Sequence, residues 1–381
     1  MFGADAMRPI RMLMVRPRPR LVAAAVRQGF DVWAVVDPEL YEPDHLRQLG
    51  SDATHLLAVP ADDEAALDVL VVRTVRRNQI EHVVCPCGRD HGLRRKTMVL
   101  PGPHSAVRLL NDPFDMRRTL GRAGAPGRPG VADSIAEIRA VLADLGYPAV
   151  VRGRSAVLTL TGPDDVEKWA RHHPDGPYLI GEPLTGPQFV VTTLTFEGMH
   201  HVVGVTARTP ECLTHPAELP DQDEAAIRAV VTSLLDLAGY ERGPAHTTVV
   251  LTVRGPRIDS VHTWFGHEAL LSLLELCTGL DVEAELVRWL TDGRISSPSA
   301  SRCAAVRYLR PGPGHLVSIA GQAELSALPG VRQVRLPFVP GDVLTSEDTG
   351  FFLVEGATVA EARARACSVH EKARVVVEGA W

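Results

Sequence analysis

The stretch that most constrains this chain is residues 243–266, which read GPAHTTVVLTVRGPRIDSVHTWFG. Two apolar runs, Thr247–Val253 and Arg257–Val261, flank Gly255-Pro256, and this pattern predicts a β-hairpin. In such a hairpin, one residue of each strand pair faces the same side of the sheet. Acidic residues on that side would be suited to hold a metal ion. We therefore expect a functional site at this hairpin.

Composition and charge exclude several classes of protein. A length of 381 residues is enough for two or three domains, and 45% hydrophobic residues with a mean hydropathy of +0.02 indicate a globular chain. A formal net charge of −6 argues against a nucleic-acid partner, which usually requires a basic face. Residues 1–20 lack a continuous apolar segment and no run reaches transmembrane length, so we expect a cytoplasmic protein with no membrane partner.

The cysteines indicate a reducing compartment. Six cysteines in a chain of this length, without a paired framework, fit free thiols. The segment Cys85-Pro86-Cys87, with His91 nearby, is compatible with a metal or redox site, but a second cysteine pair at suitable spacing is missing. Unpaired thiols near a strand end are the favoured interpretation.

The first hundred residues predict a small doubly wound α/β domain. Arg11–Val15 and Asp31–Val36 are apolar strand patterns, and the helical pattern Leu21–Gln28 lies between them, so a parallel sheet is expected. Two further strands and a helix are predicted at His55–Val59, His82–Cys85 and Glu64–Arg77. The turn after the first strand, residues 16–20, reads RPRPR and contains no glycine, which excludes a dinucleotide-binding loop.

The central region carries a family resemblance. A helix is predicted over Leu109–Gly124, and a second helix begins near Ser134 with a capping box that includes Glu137. Gly146-Tyr147-Pro148 ends that helix before the strand Ala149–Arg152. The order resembles the entry to an ATP-grasp domain, which reads D-K-x-x-M-R-x-x-L-x-x-A-G-x-P and then L-G-Y-P-x-V-V-K-P. The matching positions are Asp112, Met116, Arg117, Leu120, Ala123, Gly124, Pro126 and Leu145–Val151.

The resemblance continues to the end of the chain. Tyr178–Phe189 is similar to the adenine hinge, and residues 243–266 are similar to the metal-binding hairpin, G-x-x-H-x-E followed by I-E-x-N-x-R. Thr278–Asp281 matches a T-G-x-D segment, and Gly341–Val375 looks like the C-terminal subdomain of carboxylate–amine ligases and biotin carboxylases. The implied fold class is α/β, with α+β character in the central domain.

The resemblance also implies a division of the chain into domains. A Rossmann-like pre-ATP-grasp domain is expected at residues 1–105 and a two-part ATP-grasp domain at 106–295. Its A subdomain would span 106–177, and its B subdomain, with the hinge and the hairpin, 178–295. A small C-terminal α+β subdomain would occupy 296–381.

Members of this superfamily phosphorylate a carboxylate with Mg·ATP, and an amine or thiol then attacks the acyl phosphate. The two lysines that bind the phosphates fall on Pro113 and Arg152, and the glycine-rich loop after Arg152 is cut to a few residues. In the hinge, the two glutamates fall on Gly181 and Glu182, and Leu184 retains the apolar contact for adenine. The Glu that follows the hinge glycine falls on Gln188.

The metal-binding pattern of the hairpin is depleted as well. Its first Glu falls on Thr248, its second on Asp259, its Asn on Val261 and its Arg on Thr263. One carboxylate among neutral side chains is a poor site for Mg²⁺, which prefers charged oxygen ligands. These combined losses predict a degenerate nucleotide and metal site.

Several residues are candidates for a replacement function. The catalytic candidates are Asp259, His262 and His246, and the alternative is that the histidines fill vacated space. Substrate-binding candidates are Arg208, Arg152, Trp264 and His267. If ATP binds, Arg152, Glu182 and Leu184 would contact it, and Asp259 would be a weak metal ligand.

The function that these losses favour is an ATP-independent one: a repurposed enzyme, or a protein that binds a small carboxylate or amino-acid-like molecule in bacterial specialised metabolism. No cofactor is expected in that case. The alternatives are an active carboxylate–amine ligase with a divergent site, which would use ATP and Mg²⁺, and a scaffold subunit for an active homologue. A homodimer is expected, since these folds commonly dimerise.

Overall fold

The computed structural model of the chain describes residues 8–60, 63–85, 93, 97–122, 130–154, 156–173, 175–296, 299–319 and 321–379. The element bounds below refer to these ranges. Within them, no helix is both long and apolar enough to span a bilayer. The five cysteines that they include are free thiols, whereas Pro86, Cys87 and His91 lie outside the described residues.

The N-terminal region forms a five-stranded parallel sheet in the order β3-β2-β1-β4-β5. Its strands are β1 (Arg11–Val15), β2 (Asp31–Val36), β3 (His55–Ala58), β4 (His82–Val84) and β5 (Met98–Leu100). The accompanying helices are α1 (Pro19–Arg27), α2 (Pro43–Asp52), α3 (Glu64–Asn78) and a 3-10 helix, Pro38–Leu40. The predicted doubly wound arrangement is confirmed, with β5 as an additional strand.

The predicted helix over Leu109–Gly124 is two helices, α4 (His104–Asn111) and α5 (Pro113–Arg122). Asp112 separates them, because one of its carboxylate oxygens accepts hydrogen bonds from Phe114 N at 2.8 Å and Asp115 N at 3.0 Å. An Asp in this capping position satisfies backbone N–H groups that the first helical turn leaves without partners. Pro113 is tolerated as the first helical residue for the same reason. Residues 123–126 lie outside the described ranges.

A small antiparallel sheet follows, in the order β6-β9-β7-β8. Its strands are β6 (Gly130–Ala132), β7 (Ala149–Arg152), β8 (Val157–Leu160) and β9 (Tyr178–Gly181). Its helices are α6 (Ile135–Leu145) and α7 (Pro163–His172). The predicted capping box is confirmed: Ser134 Oγ accepts from Glu137 N at 3.2 Å, and Glu137 accepts from Asp133 N at 3.0 Å.

The largest of the four sheets in the described residues is antiparallel and has eight strands, in the order β14-β13-β10-β11-β12-β15-β19-β17. Its strands are β10 (Gln188–Phe196), β11 (Met199–Arg208), β12 (Cys212–His215), β13 (Gly243–Thr252), β14 (Gly255–His262), β15 (Cys303–Leu309), β17 (Val331–Arg335) and β19 (Gly350–Gly356). Three helices accompany it, α8 (Asp221–Ala238), α9 (Glu268–Thr278) and α10 (Val282–Asp292). The sheet is continuous across residue 296 because β12 pairs with β15.

The remaining strands, β16 (Gly314–Ile319), β18 (Val343–Leu344) and β20 (Val375–Glu378), form a three-stranded sheet. Helices α11 (Gln322–Ser326) and α12 (Val359–Lys372) complete the C-terminal part of the chain. Helix α12 contributes Ala362, Ala366 and Val369 to an apolar cluster that also contains Phe352 and Val354 of β19. This cluster fixes the C-terminal segment against the large sheet.

The large sheet has two differently covered faces near the hairpin. One face, which we call the front face, contributes Val190 and Leu194 of β10 to a cluster shared with α9, α10 and the N-terminal sheet. The other, the back face, contributes residues such as Val191 and Val249 to a cluster shared with α4 and α8. Side chains alternate between these faces along each strand, so the strand register decides which residues of the hairpin are available to a ligand.

Candidate functional site: the front face of the β13–β14 hairpin

The hairpin turns at Val253-Arg254, two residues before the predicted Gly255-Pro256. His246 pairs with His262, Thr247 with Val261 and Thr248 with Ser260, and then the register shifts so that Val249 pairs with Ile258. Asp259 is therefore the extra residue of a β-bulge, without a partner on β13. A bulge of this kind breaks the simple alternation of the strand and cannot be recognised from periodicity.

This register determines which residues of β14 lie on the same face of the sheet as Thr248. The residue opposite Thr248 is Ser260, and the next β14 residue on the same face is His262. Val261, predicted at the position of the family's Asn, is 3% exposed and lies in the back-face cluster with Val249 and Ile258. On β14, Ser260 and His262 therefore share the front face with Thr248, whereas Val261 does not.

Thr263, predicted at the position of the family's Arg, is held by α4. Its backbone N donates to Asn111 Oδ1 at 3.0 Å, and Asn111 Nδ2 donates to its hydroxyl at 2.8 Å. The following Trp264 is half-buried, and its ring meets Phe265 edge to face with centroids 4.9 Å apart. Trp264 thus packs at the rim of the front-face cluster and remains a candidate for ligand contact.

His246 is the most deeply buried of the candidate residues. It is 4% exposed, its Nδ1 lies 3.0 Å from Thr192 Oγ1, and its Nε2 is buried without a hydrogen-bond partner among the residues that the structure describes. A Cβ atom on Gly266 would lie 3.3 Å from that Nε2, so the glycine lets the chain pass directly over the ring. Burial, followed by the positive charges of Arg18, His262 and His267, lowers its pKa to about 3. His246 is therefore a neutral imidazole at neutral pH.

A group of basic side chains lies beside the hairpin. Arg208, at the end of β11, donates from Nη1 to Thr248 Oγ1 at 3.3 Å. His262 is exposed, and its pKa is lowered by partial burial and by the charges of His267 and Arg208. His267 immediately precedes α9, where its carbonyl accepts from Leu270 N at 3.0 Å. Burial is the largest cause of this lowered pKa, and the neighbouring basic groups act in the same direction.

Asp259 lies beside Arg152 of the small sheet. Its Oδ1 lies 3.9 Å from Arg152 Nη2, and both side chains are about one-third exposed, at 34% and 38%. Arg117 of α5 donates to the carbonyl of Ile258 at 2.5 Å and to that of Asp259 at 3.2 Å. Burial lowers the pKa of Arg117, Asp259 raises it and Arg152 lowers it. One carboxylate is therefore close to two guanidinium groups.

The sequence predicts the loss of two phosphate-binding features, the glycine-rich loop and the first lysine. In the structure, the loop is short and the position of the lysine is a neutral proline. Strands β7 and β8 are joined by residues 153–156, and Gly153 N donates to the carbonyl of Ala156 at 2.9 Å, which closes a tight turn. Arg154 lies over the ring of Phe114 at 5.5 Å, and Ser155 is outside the described residues. Pro113 begins α5 and supplies no charge.

The hinge residue Glu182 pairs with an arginine of the hairpin turn. Arg254 Nη1 lies 3.2 Å from Glu182 Oε2, and both side chains are exposed. Leu184, the candidate adenine contact, is 36% exposed. Both hinge candidates are therefore accessible, with Glu182 occupied by an ion pair that solvent weakens.

The front face is chemically unsuited to Mg²⁺. Thr248, Ser260 and His262 offer two neutral hydroxyls and an imidazole, whereas Mg²⁺ is held by carboxylates and water in octahedral geometry. Arg208 places a positive charge against Thr248, where a cation would be repelled. Among the described residues, no group of three or more His, Cys, Asp or Glu side chains is arranged to hold a metal ion. No step through a bound Mg²⁺ follows from this set of donors.

Comparison with known proteins agrees with this architecture. The family described as L-amino acid ligase C-terminal domain 2 matches residues 307–378. An L-amino acid ligase from Bacillus licheniformis superposes with a TM-score of 0.79 at 18% identity, covering 98% of this chain and 100% of that one. The chain has the ATP-grasp fold.

Other ATP-grasp structures superpose over nearly the whole chain. N5-carboxyaminoimidazole ribonucleotide synthetase from Thermotoga maritima gives a TM-score of 0.75 at 17% identity, over 98% of this chain and 100% of that one. Biotin carboxylase from Campylobacter jejuni gives 0.73 at 13% identity, over 98% and 93%. A search among curated proteins finds no match. Identities this low establish a shared ATP-grasp fold and leave the activity to be argued from the site.

The structure brings some of the candidate residues together and separates others. His246, His262, His267 and Arg208 form one group on the front face of the ATP-grasp hairpin. Asp259 and Arg152 form a second group toward the small sheet, and Glu182 with Arg254 a third. The sequence argument missed Ser260 and the role of Arg117 at the bulge. Arg117 matches the family motif in the sequence, but only the fold brings it to the carbonyl groups of Ile258 and Asp259.

Proposed function

We propose that this chain binds a small carboxylate-bearing molecule beside the β13–β14 hairpin, and that it does so without turnover of Mg·ATP. The observation that carries the proposal is the composition of the front face. The positions that face one another there are Thr248 and Ser260, both neutral, and a guanidinium, Arg208, contacts the first of them.

Electrostatics favour an anion at this face. Arg208 remains charged at any physiological pH and presents a planar set of donors that matches a carboxylate. His262 and His267 extend the same basic group. The positive charge of Arg208 attracts an anion. An amino acid or another small carboxylic acid has the required charge and size.

The same group explains the expected pH dependence. The pKa of His262 is lowered in the free protein, so the ring is largely neutral at neutral pH. A bound anion raises that pKa, and binding is then coupled to uptake of a proton. Affinity for a carboxylate is therefore expected to rise as the pH falls through the pKa of the bound form toward the lower pKa of the free form.

The proposal is tested by isothermal titration calorimetry of the full chain with free amino acids and small mono- and dicarboxylates, without nucleotide. We expect saturable binding to one or more of them, weakened about tenfold or more by Arg208→Met, which corresponds to one lost charge-assisted contact. Arg254→Met is the matched control, because Arg254 lies at the opposite end of the hairpin and pairs with Glu182.

An alternative function, an ATP-dependent carboxylate–amine ligase, has one observation in its favour. Asp259 and Arg152 keep a carboxylate and a cation at 3.9 Å between the hairpin and the small sheet. If this pair serves a ligase, the protein will bind ATP in a Mg²⁺-dependent manner and release ADP with some carboxylate–amine pair, and Asp259→Asn will abolish that release. Such a result contradicts the ATP-independent proposal. Absence of ADP release together with carboxylate binding supports it.

A further inference from the structure

The turn between β1 and α1, residues 16–20, holds one arginine between two prolines. Arg18 has an extended backbone, with φ −74° and ψ 148°, which is the conformation favoured by a residue that precedes proline. The carbonyl of Pro17 accepts a hydrogen bond from the hydroxyl of Tyr41 at 3.0 Å, and Pro19 begins α1, where its missing N–H is tolerated. Arg18 is therefore presented by a stiff stretch of backbone.

The guanidinium of Arg18 contacts the segment that connects β14 to α9, residues 263–267. Its Nη2 donates to the carbonyl of Gly266 at 3.2 Å, and its Cζ lies 5.6 Å from the ring centroid of Phe265. The same guanidinium meets Glu283, in the first turn of α10, with 3.1 Å between Nε and Oε1. Arg18 thus joins the N-terminal region to two elements that lie far from it in the sequence.

Glu283 is a buried carboxylate that depends on a nearby cation. Its side chain is 3% exposed, and its contact with Arg18 is an ion pair that lacks the geometry of a hydrogen bond. Burial raises the pKa of Glu283, and the charge of Arg18 lowers it. Asp281 Oδ1 accepts from Glu283 N at 3.0 Å and so fixes the start of α10. A carboxylate buried in this way restrains the guanidinium, because separating the two charges leaves the carboxylate unpaired.

The connecting segment carries two of the candidate ligand contacts, Trp264 and His267. The carbonyl that Arg18 holds belongs to the planar peptide group between Gly266 and His267, so a donor on that carbonyl also orients the N–H of His267. The carbonyl of His267 in turn accepts from Leu270 N at 3.0 Å, in the first turn of α9. The contact with Arg18 therefore acts at the point where the segment enters the helix.

We propose that Arg18 is a positioning residue for the front-face site. Paired with the buried Glu283, it holds the peptide group between Gly266 and His267 in one orientation. That orientation sets where Trp264 and His267 meet a bound carboxylate. The inference rests on the proposed function, and it extends the site to the N-terminal region: the turn that cannot bind a dinucleotide supports the hairpin instead.

The first test is made on the protein without ligand, by hydrogen exchange and mass spectrometry. Arg18→Met keeps the length of the side chain and removes its donors, so we expect faster amide exchange in peptides that cover residues 263–271. Arg20→Met is the matched control, because Arg20 lies in the same turn and pairs with Glu275 and Asp281 instead. Exchange in residues 263–271 is expected to stay unchanged in the control.

A double variant separates positioning from stability. Arg18→Met alone leaves Glu283 buried without this cation and is expected to lower the free energy of unfolding. Arg18→Met/Glu283→Leu removes both charges, and apolar replacement of a buried ion pair is often neutral for stability. Urea unfolding is therefore expected to show recovered stability in the double variant. The carbonyl of Gly266 still lacks its donor there, so exchange in residues 263–271 is expected to stay fast.

The second test is calorimetric titration of the same variants with free amino acids and small mono- and dicarboxylates. We expect binding to be about fivefold weaker or more in the double variant than in the wild-type chain, and unchanged in Arg20→Met. Full affinity in the double variant overturns the inference, as does exchange that does not respond to Arg18→Met. A wild-type chain that binds none of these compounds, while its exchange still depends on Arg18, contradicts the proposed function and not the ordering of the segment.

Discussion

The two faces of the β13–β14 hairpin differ in burial and in the kinds of side chain that they carry. On the back face, Val249, Ile258 and Val261 are at most 3% exposed and pack with α8 as an ATP-grasp core requires. On the front face, the paired strands present Thr248, Ser260 and His262. Buried apolar residues are constrained by packing, whereas residues lining a ligand cleft can change without loss of the fold. Packing therefore constrains the back face of the hairpin, and ligand chemistry constrains the front face.

The largest expected effect distinguishes neighbouring residues of β14. Val261→Asn places an amide in the back-face cluster without partners and is expected to lower the free energy of unfolding by about 2–4 kcal/mol. Ser260→Asn, one residue away on the partly exposed front face, is expected to cost less than about 1 kcal/mol. Urea unfolding of both variants measures the difference. Equal costs would mean that the two residues do not lie on opposite faces.

The second prediction concerns the buried imidazole of the front face. With a pKa of about 3 in the folded protein and 6.5 as its ordinary value, His246 takes up a proton on unfolding between these limits. Stability therefore falls as the pH drops below 6.5, by about 1.4 kcal/mol per pH unit for one such proton. His215, whose pKa is lowered to about 4 mainly by burial, acts in the same direction.

The His246→Gln variant is expected to lose the contribution of about one proton to the slope of the unfolding free energy against pH. The contribution of His215 to that slope is expected to remain. The measurement is urea unfolding at a series of pH values from neutral to mildly acidic. The absolute stability of the variant at neutral pH serves as its reference, so that only the slope is compared. An unchanged slope would show that His246 is accessible to protons in the folded state.

The third prediction restores carboxylates to the front face. In the Thr248→Glu/Ser260→Glu variant, two carboxylates face one another, and added Mn²⁺ is expected to stabilise the fold by about 1–3 kcal/mol at concentrations well above its dissociation constant. The uncharged Thr248→Gln/Ser260→Gln variant is the control. Thermal unfolding with and without Mn²⁺ measures the gain. A response in both variants, or in neither, would contradict the register that places residues 248 and 260 opposite one another.

The smallest effect is expected at the hinge. Glu182 and Arg254 are exposed, and ion pairs of this kind contribute ~0–1 kcal/mol. Glu182→Gln is therefore expected to change the free energy of unfolding by less than about 1 kcal/mol, which urea unfolding measures against Arg254→Gln. A larger loss would assign the hinge a structural role comparable to that of the back face.

Local signals in the sequence predicted a large part of the fold. The strands Arg11–Val15, Asp31–Val36 and Ala149–Arg152 have the predicted bounds, and the Ser134 cap contacts Glu137 as expected. Each depends on residues within a few positions of one another. By contrast, the break between α4 and α5 at Asp112 was missed. Two helices joined by a capping Asp have the same residue composition as one continuous helix.

The site was predicted less well than the fold. The chemistry of the hairpin was assigned by counting along the sequence, and the bulge at Asp259 moved every later residue of β14 to the other face. Asp259 lies near Arg152 and Arg117, whereas the sequence argument had grouped it with the histidines. The roles proposed for Asp259, His246 and His262 stay predictions.

What the sequence determined by itself was the kind of fold and the residue types available to the cleft: apolar periodicity, caps and spaced motifs act over short distances along the chain. What the tertiary structure decided was which of those residues face each other. Strand register and the bulge depend on how β13 pairs with β14, and the contact of Arg208 with Thr248 joins residues that are 40 positions apart. They depend on how whole faces pack, and no local pattern records them.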